Sequence, residues 1–198
     1  MPQHQILKRS SASFVVLAIG SALWLAGCNG AGGKALHIKS SAAGEKDVSV
    51  KSAYAFAVTK TFTDATGKMT TAVDYNVFVA NYDLDSSFFA QTINKPMASD
   101  DQVRVTFSLV GDEGGNEKTA PKAGTYSAAA DKFMKVESVG IVTRKGSAED
   151  KGWWDRSSTK GEVKITSASA DSISGDVDLS GGANSIRGSF TAKVLTRK

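Results

Sequence analysis

The chain has 198 residues, 41% of them hydrophobic and 22% charged, and its 24 Lys and Arg against 20 Asp and Glu give a net charge of +4. That length suits one domain, and no polybasic run is present that would neutralise a row of phosphates, so no nucleic acid is expected as partner. The single Cys, Cys28, excludes an internal disulfide, and with His4 in the first segment and His37 soon after it, the chain beyond His37 has neither His nor Cys, which removes His/Cys zinc sites and His-activated nucleophiles, so the expectation is not an enzyme, with no cofactor.

The first segment has the build of an export leader: basic Lys8 and Arg9, a mostly apolar run from Phe14 to Leu25, then small residues. The run is too short to cross a bilayer, which takes roughly 20 residues. Leu25-Ala26-Gly27-Cys28 resembles the lipobox of bacterial lipoproteins at all four positions. The resemblance implies that Met1–Gly27 are removed, that Cys28 is lipidated, and that membrane is a partner through that residue. Loss of the leader leaves 22 basic and 20 acidic residues, a net +2. The resemblance places the protein in the cell envelope. Asn29, in place of Asp, implies the outer membrane in a Gram-negative cell. Residues 28–35 (CNGAGGKA) read as a flexible tether, and 36–198 as a single β domain.

Along that domain the apolar residues recur at every second position, the period of a strand. One such set is Val48, Val50, Ser52, Tyr54, Phe56, Val58, Lys60 and Phe62. Asp64–Lys68 is a turn by composition, and Val73, Tyr75, Val77 and Val79 complete a hairpin. Val103, Val105, Phe107 and Leu109 form the next set, ended by the Gly-rich loop 111–118. An extended piece follows Pro121 to Tyr126, then one expected helical turn over 127–133. Residues 133–143 are extended but lose their alternation near Ser138, the mark of a bulge or two short strands.

Three strands close the chain, carrying Val163 and Ile165; Ile173, Val177 and Leu179; Ile186, Phe190, Ala192 and Val194. Short loops between them force antiparallel neighbours, and polar residues at alternate positions imply one wet face. This stretch resembles the closing meander of uncharacterised envelope lipoproteins. The fold class expected is all-β: an antiparallel β-sandwich or partly closed barrel of about seven to nine strands, ending in a three-stranded meander.

Trp153 and Trp154, followed by Arg156 in a charged loop, are the leading candidates for ligand or partner binding. Neighbours in an extended chain point opposite ways, so one indole covers the core edge and the other stays exposed. The bland reading is a loop that plugs one end of the core. Replacing both Trp by Ala is expected to abolish partner capture and leave the fold intact.

Asp112, Glu113, Asn116 and Glu117 gather oxygen ligands on one turn, a weak Ca²⁺ candidate whose spacing does not match an EF-hand. Asp83 with Asp85, and Asp176 with Asp178, are candidate acid–base pairs, the second on the expected wet face. Ser157-Ser-Thr-Lys160 matches S-x-x-K by chance, lacking the companion motifs.

The function expected is a membrane-anchored envelope module, structural or binding an envelope protein or glycan. The alternative is a carrier of small apolar ligands, a calycin-like barrel with Phe56, Tyr75 and Phe107 lining its cavity. A carboxylate-based hydrolase comes third.

Overall fold

The computed structural model describes residues 35–85 and 96–196. The leader Met1–Gly27, Cys28 and all of the tether except Ala35 lie outside the described residues. Within them the chain forms eleven strands and no helix: β1 (Ala35–Ser40), β2 (Gly44–Ser49), β3 (Ser52–Thr63), β4 (Met69–Ala80), β5 (Val103–Glu113), β6 (Gly124–Ser127), β7 (Lys135–Lys145), β8 (Ala148–Trp153), β9 (Thr159–Ala168), β10 (Ser172–Gly181) and β11 (Asn184–Leu195). All belong to one mixed sheet, in which β10, β9, β6, β7, β5, β4, β3 and β11 pair in that order and β11 returns to β10, closing a ring of eight.

The all-β expectation holds, with a higher strand count. β1 and β8 are additional, and the strand expected from Val48 to Phe62 is broken at residues 50–51 into β2 and β3. β2 (GEKDVS) and β8 (AEDKGW) carry charge in place of apolar alternation, the composition that keeps a sheet edge from recruiting other chains. The expected antiparallel pairing also needs correction at two places. β3 runs parallel to β11, through Tyr54 opposite Lys193 to Phe56 opposite Leu195, and β6 runs parallel to β7 at Ser127.

Alternation locates the main core. Val73, Tyr75, Val77 and Val79 of β4 and Val103, Val105, Phe107 and Leu109 of β5 all point into the ring and are buried there. The closing meander behaves as its pattern implies: Val163, Ile165, Ile173, Val177, Leu179, Ile186, Phe190 and Ala192 join the same core. Phe107 and Phe190 meet edge to face, centroids 5.1 Å apart, across the middle of the ring.

Phe107 therefore lines no void. Phe56 is a correction of phase: β3 gives its alanines, Ala53 and Ala55, to the ring core, and its large side chains face outward. Phe56 stacks on Phe78 outside the ring at 5.7 Å, in a second cluster with Ala80, Tyr82, Leu84, Met97 and Val142.

Turn chemistry follows the sequence. Asp64 Oδ1 accepts from the Thr66 N–H at 2.8 Å and the Lys68 N–H at 3.0 Å, closing the β3–β4 hairpin over Gly67 at φ 83°. Near Ser138 the anomaly is a bulge in one continuous strand, because Ser108 faces Ser138 while Leu109 faces Val136, which leaves Glu137 unpaired. No helical turn forms over 127–133. Ser127 N donates to Met134 O at 2.9 Å, and Met134 takes a left-handed φ of 48°, so this segment folds back as a loop.

Candidate functional site

β7 has one edge shared by two neighbours. β6 takes its start, at Lys135, and β8 takes its second half, from Gly140 opposite Trp153 to Lys145 opposite Ala148. β8 therefore branches from the ring, and the two tryptophans lie where the chain leaves it.

Trp153 faces outward, opposite a residue without a side chain. Its indole lies over Gly140, so closely that a Cβ there would stand 2.8 Å from Cε3 and 2.9 Å from Cζ3. The residue is 60% exposed, which leaves part of the indole open to water. Trp154 turns the other way. Its N–H donates to Val139 O at 3.0 Å, and its side chain, 9% exposed, joins the ring core against Gly181. One indole thus packs into the core and the other stays exposed, as expected for neighbours in an extended strand. A double alanine substitution would therefore cut into the core as well.

Charged groups collect nearby on the same outer side. The bulged Glu137 accepts from Lys60 Nζ at 2.8 Å and from Arg156 Nη1 at 3.2 Å. Lys60 belongs to β3, separated from β7 in the sheet by β5 and β4. That contact, with Phe62 edge-on to Phe133 at 5.5 Å, requires the free end of the β3–β4 hairpin to bend over this face and make it concave. Half-buried Asp74 lies in the concavity, its Oδ1 accepting from Ser108 Oγ at 2.5 Å. Burial raises its carboxyl above the ordinary 3.8, against the pull of Ser108 and Lys60. Lys135 donates to Asp131 O at 2.5 Å, and burial followed by Arg156 lowers its ammonium.

Sequence reasoning found Trp153, Trp154 and Arg156 and missed Lys60, Asp74, Lys135 and Glu137. These come from the β3–β4 hairpin and from β7, far apart in the chain, and only the loss of alternation at Ser138 pointed to any of them. Arg104 was missed as well. It is 2% exposed on the outer side of β5, donates Nη1 to Tyr82 Oη at 2.8 Å and lies 3.7 Å from Glu149. Among the described residues its Nε has no partner.

The other candidates are occupied locally. Asp112 pairs with Lys122, and Glu117 accepts from Thr59 Oγ1, so these two carboxylates of the Ca²⁺ candidate loop turn to different partners. Among the described residues no three His, Cys, Asp or Glu come together in a way that could hold a metal ion. Asp83 pairs with Lys51 at 2.9 Å. Asp178 pairs with Arg187 at 3.0 Å on the exposed side of the meander, where Asp176 also lies. The Ser157–Lys160 stretch caps a turn: Asp155 accepts from the Ser157 N–H and hydroxyl at 3.0 and 2.8 Å. His37 lies on the β1–β2 ladder between Asp47 at 2.9 Å and Glu45 at 3.3 Å.

An aromatic plate beside a carboxylate held by two cations has the parts to stack one face of a ring and hydrogen-bond its hydroxyls. Comparison with family models, with curated proteins and with solved structures gives no match in any of the three.

Proposed function

We propose that this protein is a lipid-anchored, non-enzymatic glycan-binding module of a bacterial cell envelope, with Trp153 as its contact plate. The observation that carries the reading is the seat of Trp153 on Gly140, which supports the indole from beneath and leaves it 60% exposed. Glu137, Arg156 and Lys60 supply charged donors and acceptors on the same side. A glycan is favoured over a protein partner by the surface around the plate. The exposed large apolar residues among those described are Trp153, Val58 and Met69, on separate strands, whereas a protein interface surrounds its aromatic anchors with a packed apolar core. The anchor rests on the lipobox resemblance at Leu25–Cys28, which favours the envelope and, in a Gram-negative cell, the outer membrane.

The test is calorimetric titration of the full-length protein with oligosaccharides released from the producing cell's envelope, beside intact mass measurement of the N-terminal peptide. Binding that Trp153→Ala removes and Trp153→Phe partly keeps supports the reading. Equal binding by all three, or none by the parent, overturns it. A diacylglyceryl mass on Cys28 supports the anchor, and an unmodified thiol behind an intact leader overturns it.

A further inference from the structure

We propose that a slot at the mouth of the ring, remote in sequence from Trp153, binds a single acyl chain with an anionic head. It arises where β11 ends at Leu195, opposite Phe56, while β3 continues to Thr63. Beyond Phe56 that edge of β3 has no strand neighbour among the described residues. The resulting cavity, about 660 Å³, is bounded by Ala57–Thr59, the segment Glu117–Pro121, the β9–β10 turn at Ala170 and residues 194–196. That volume is within the range of small-ligand sites, roughly 300–1,000 Å³.

The chemistry of the wall selects the ligand. That wall is mostly apolar, formed by the buried ring of Tyr75 with the partly buried Ala57, Pro121, Val194 and Leu195 and the exposed Ala120. The polar side chains next to this apolar wall, Tyr75, Thr59 and Glu117, are already engaged. Tyr75 Oη donates to Thr119 O at 2.8 Å, and the Thr59 hydroxyl bonds the Glu117 carboxylate while accepting from the Glu117 N–H at 3.1 Å. A polar ligand would find no released partner there and would lose its own water.

The same three bonds strap the 117–121 segment across the β3 edge. An added peptide strand would meet only Ala57–Thr59 before running into that strap, which is below the usual strand length of about five or six residues. A slender hydrocarbon chain fits the slot without needing a ladder. At the rim, the main-chain edge of β3 past Phe56 and the exposed Lys118 suit a carboxylate or phosphate head, while the Glu117 carboxylate at the same rim is turned onto the Thr59 hydroxyl.

The experiment is photo-crosslinking in cells that make the full-length protein, with diazirine-bearing acyl chains supplied as free fatty acid in one arm and as phospholipid in the other. Expected is label on the peptides holding Ala57–Thr59 and Thr119–Pro121. Ala170→Trp, placed on an exposed turn to fill the slot, should cut it about tenfold or more. Lys118→Glu should weaken it at unchanged fold, because Lys118 is exposed. Label from the free-acid arm alone identifies fatty acid as the source, and label from the phospholipid arm identifies membrane lipid; either supports the site. Label spread over the whole surface, label indifferent to both substitutions, or label in neither arm overturns it.

Discussion

The indole of Trp153 and the bare Cα of Gly140 form a cross-strand pair in which the glycine exists for the tryptophan: any Cβ at 140 would occupy the space of the ring, 2.8 Å from Cε3. Gly140→Ala should therefore lift the plate off the sheet. Overpacking of this kind costs about 1–3 kcal/mol. The expected outcome in urea denaturation is a lower midpoint, together with weaker glycan binding. Unchanged stability and binding would show that the ring has room to move.

The adjacent tryptophans should separate cleanly by stability. Trp154→Ala opens a cavity in the ring core and should cost about 3–5 kcal/mol. For a domain of this size that lowers the Tm by roughly 10 °C. Trp153→Ala, on an exposed residue, should cost under about 1 kcal/mol. Thermal melts of the two variants side by side decide the matter, and equal losses would contradict the split orientation.

Gly161 is a backbone requirement. Its φ of +98° is a region that L side chains rarely adopt, and a Cβ there would collide with Asp178 O of the neighbouring strand. Gly161→Ala should destabilise by about 3 kcal/mol, measured by chemical denaturation. Gly182→Ala, at φ +58° with open space around it, should cost clearly less.

His37 titrates in a defined direction. The hydrogen bond that the imidazole donates to the Asp47 carboxylate is the largest influence, joined by Glu45, and together they raise its pKa above 6.5. A raised pKa means that the imidazolium supports the fold fully below 6.5, and that this support is lost as pH rises through the elevated value. A proton NMR titration should place the His37 midpoint above 6.5, and Asp47→Asn should bring it down. A midpoint unmoved by that change would contradict the pairing.

Asp74 has the reverse chemistry with the same sign. Burial raises its pKa above 3.8, so the neutral carboxyl is the form that the fold tolerates. Its contribution is complete below 3.8 and fades as pH rises through the raised value. Asp74→Asn should gain stability relative to the parent between about pH 3 and about pH 7, read from denaturation midpoints at the two ends. A constant difference would place the ionised carboxylate at no cost.

Legibility along the chain depended on how each segment is buried. Val103, Val105, Phe107 and Leu109, and the closing meander, read correctly because one face meets the ring core and period two follows directly. β3 misled because both of its faces are covered. Ala53 and Ala55 go inward and Phe56 packs outward beneath Tyr82 and Leu84, so the bulkier set marked the wrong side. β8 was invisible for the opposite reason, since a charged edge strand carries no apolar period. At the site, strand geometry alone separated Trp153 from Trp154, whereas the meeting of Lys60 with Glu137, 77 residues later in the chain, depends on a bend in the β3–β4 hairpin.

The order of residues determined the composition of the core, the turns at Asp64 and Gly182 and the divergence of the two indoles, because these follow from contacts within a strand or one tight loop. Tertiary structure decided the ring, its two parallel seams, the slot past Leu195 and the charge cluster on Glu137. Each of those needs a partner chosen from a distant part of the chain, and pairing energies between strands depend on register and curvature that no local pattern encodes.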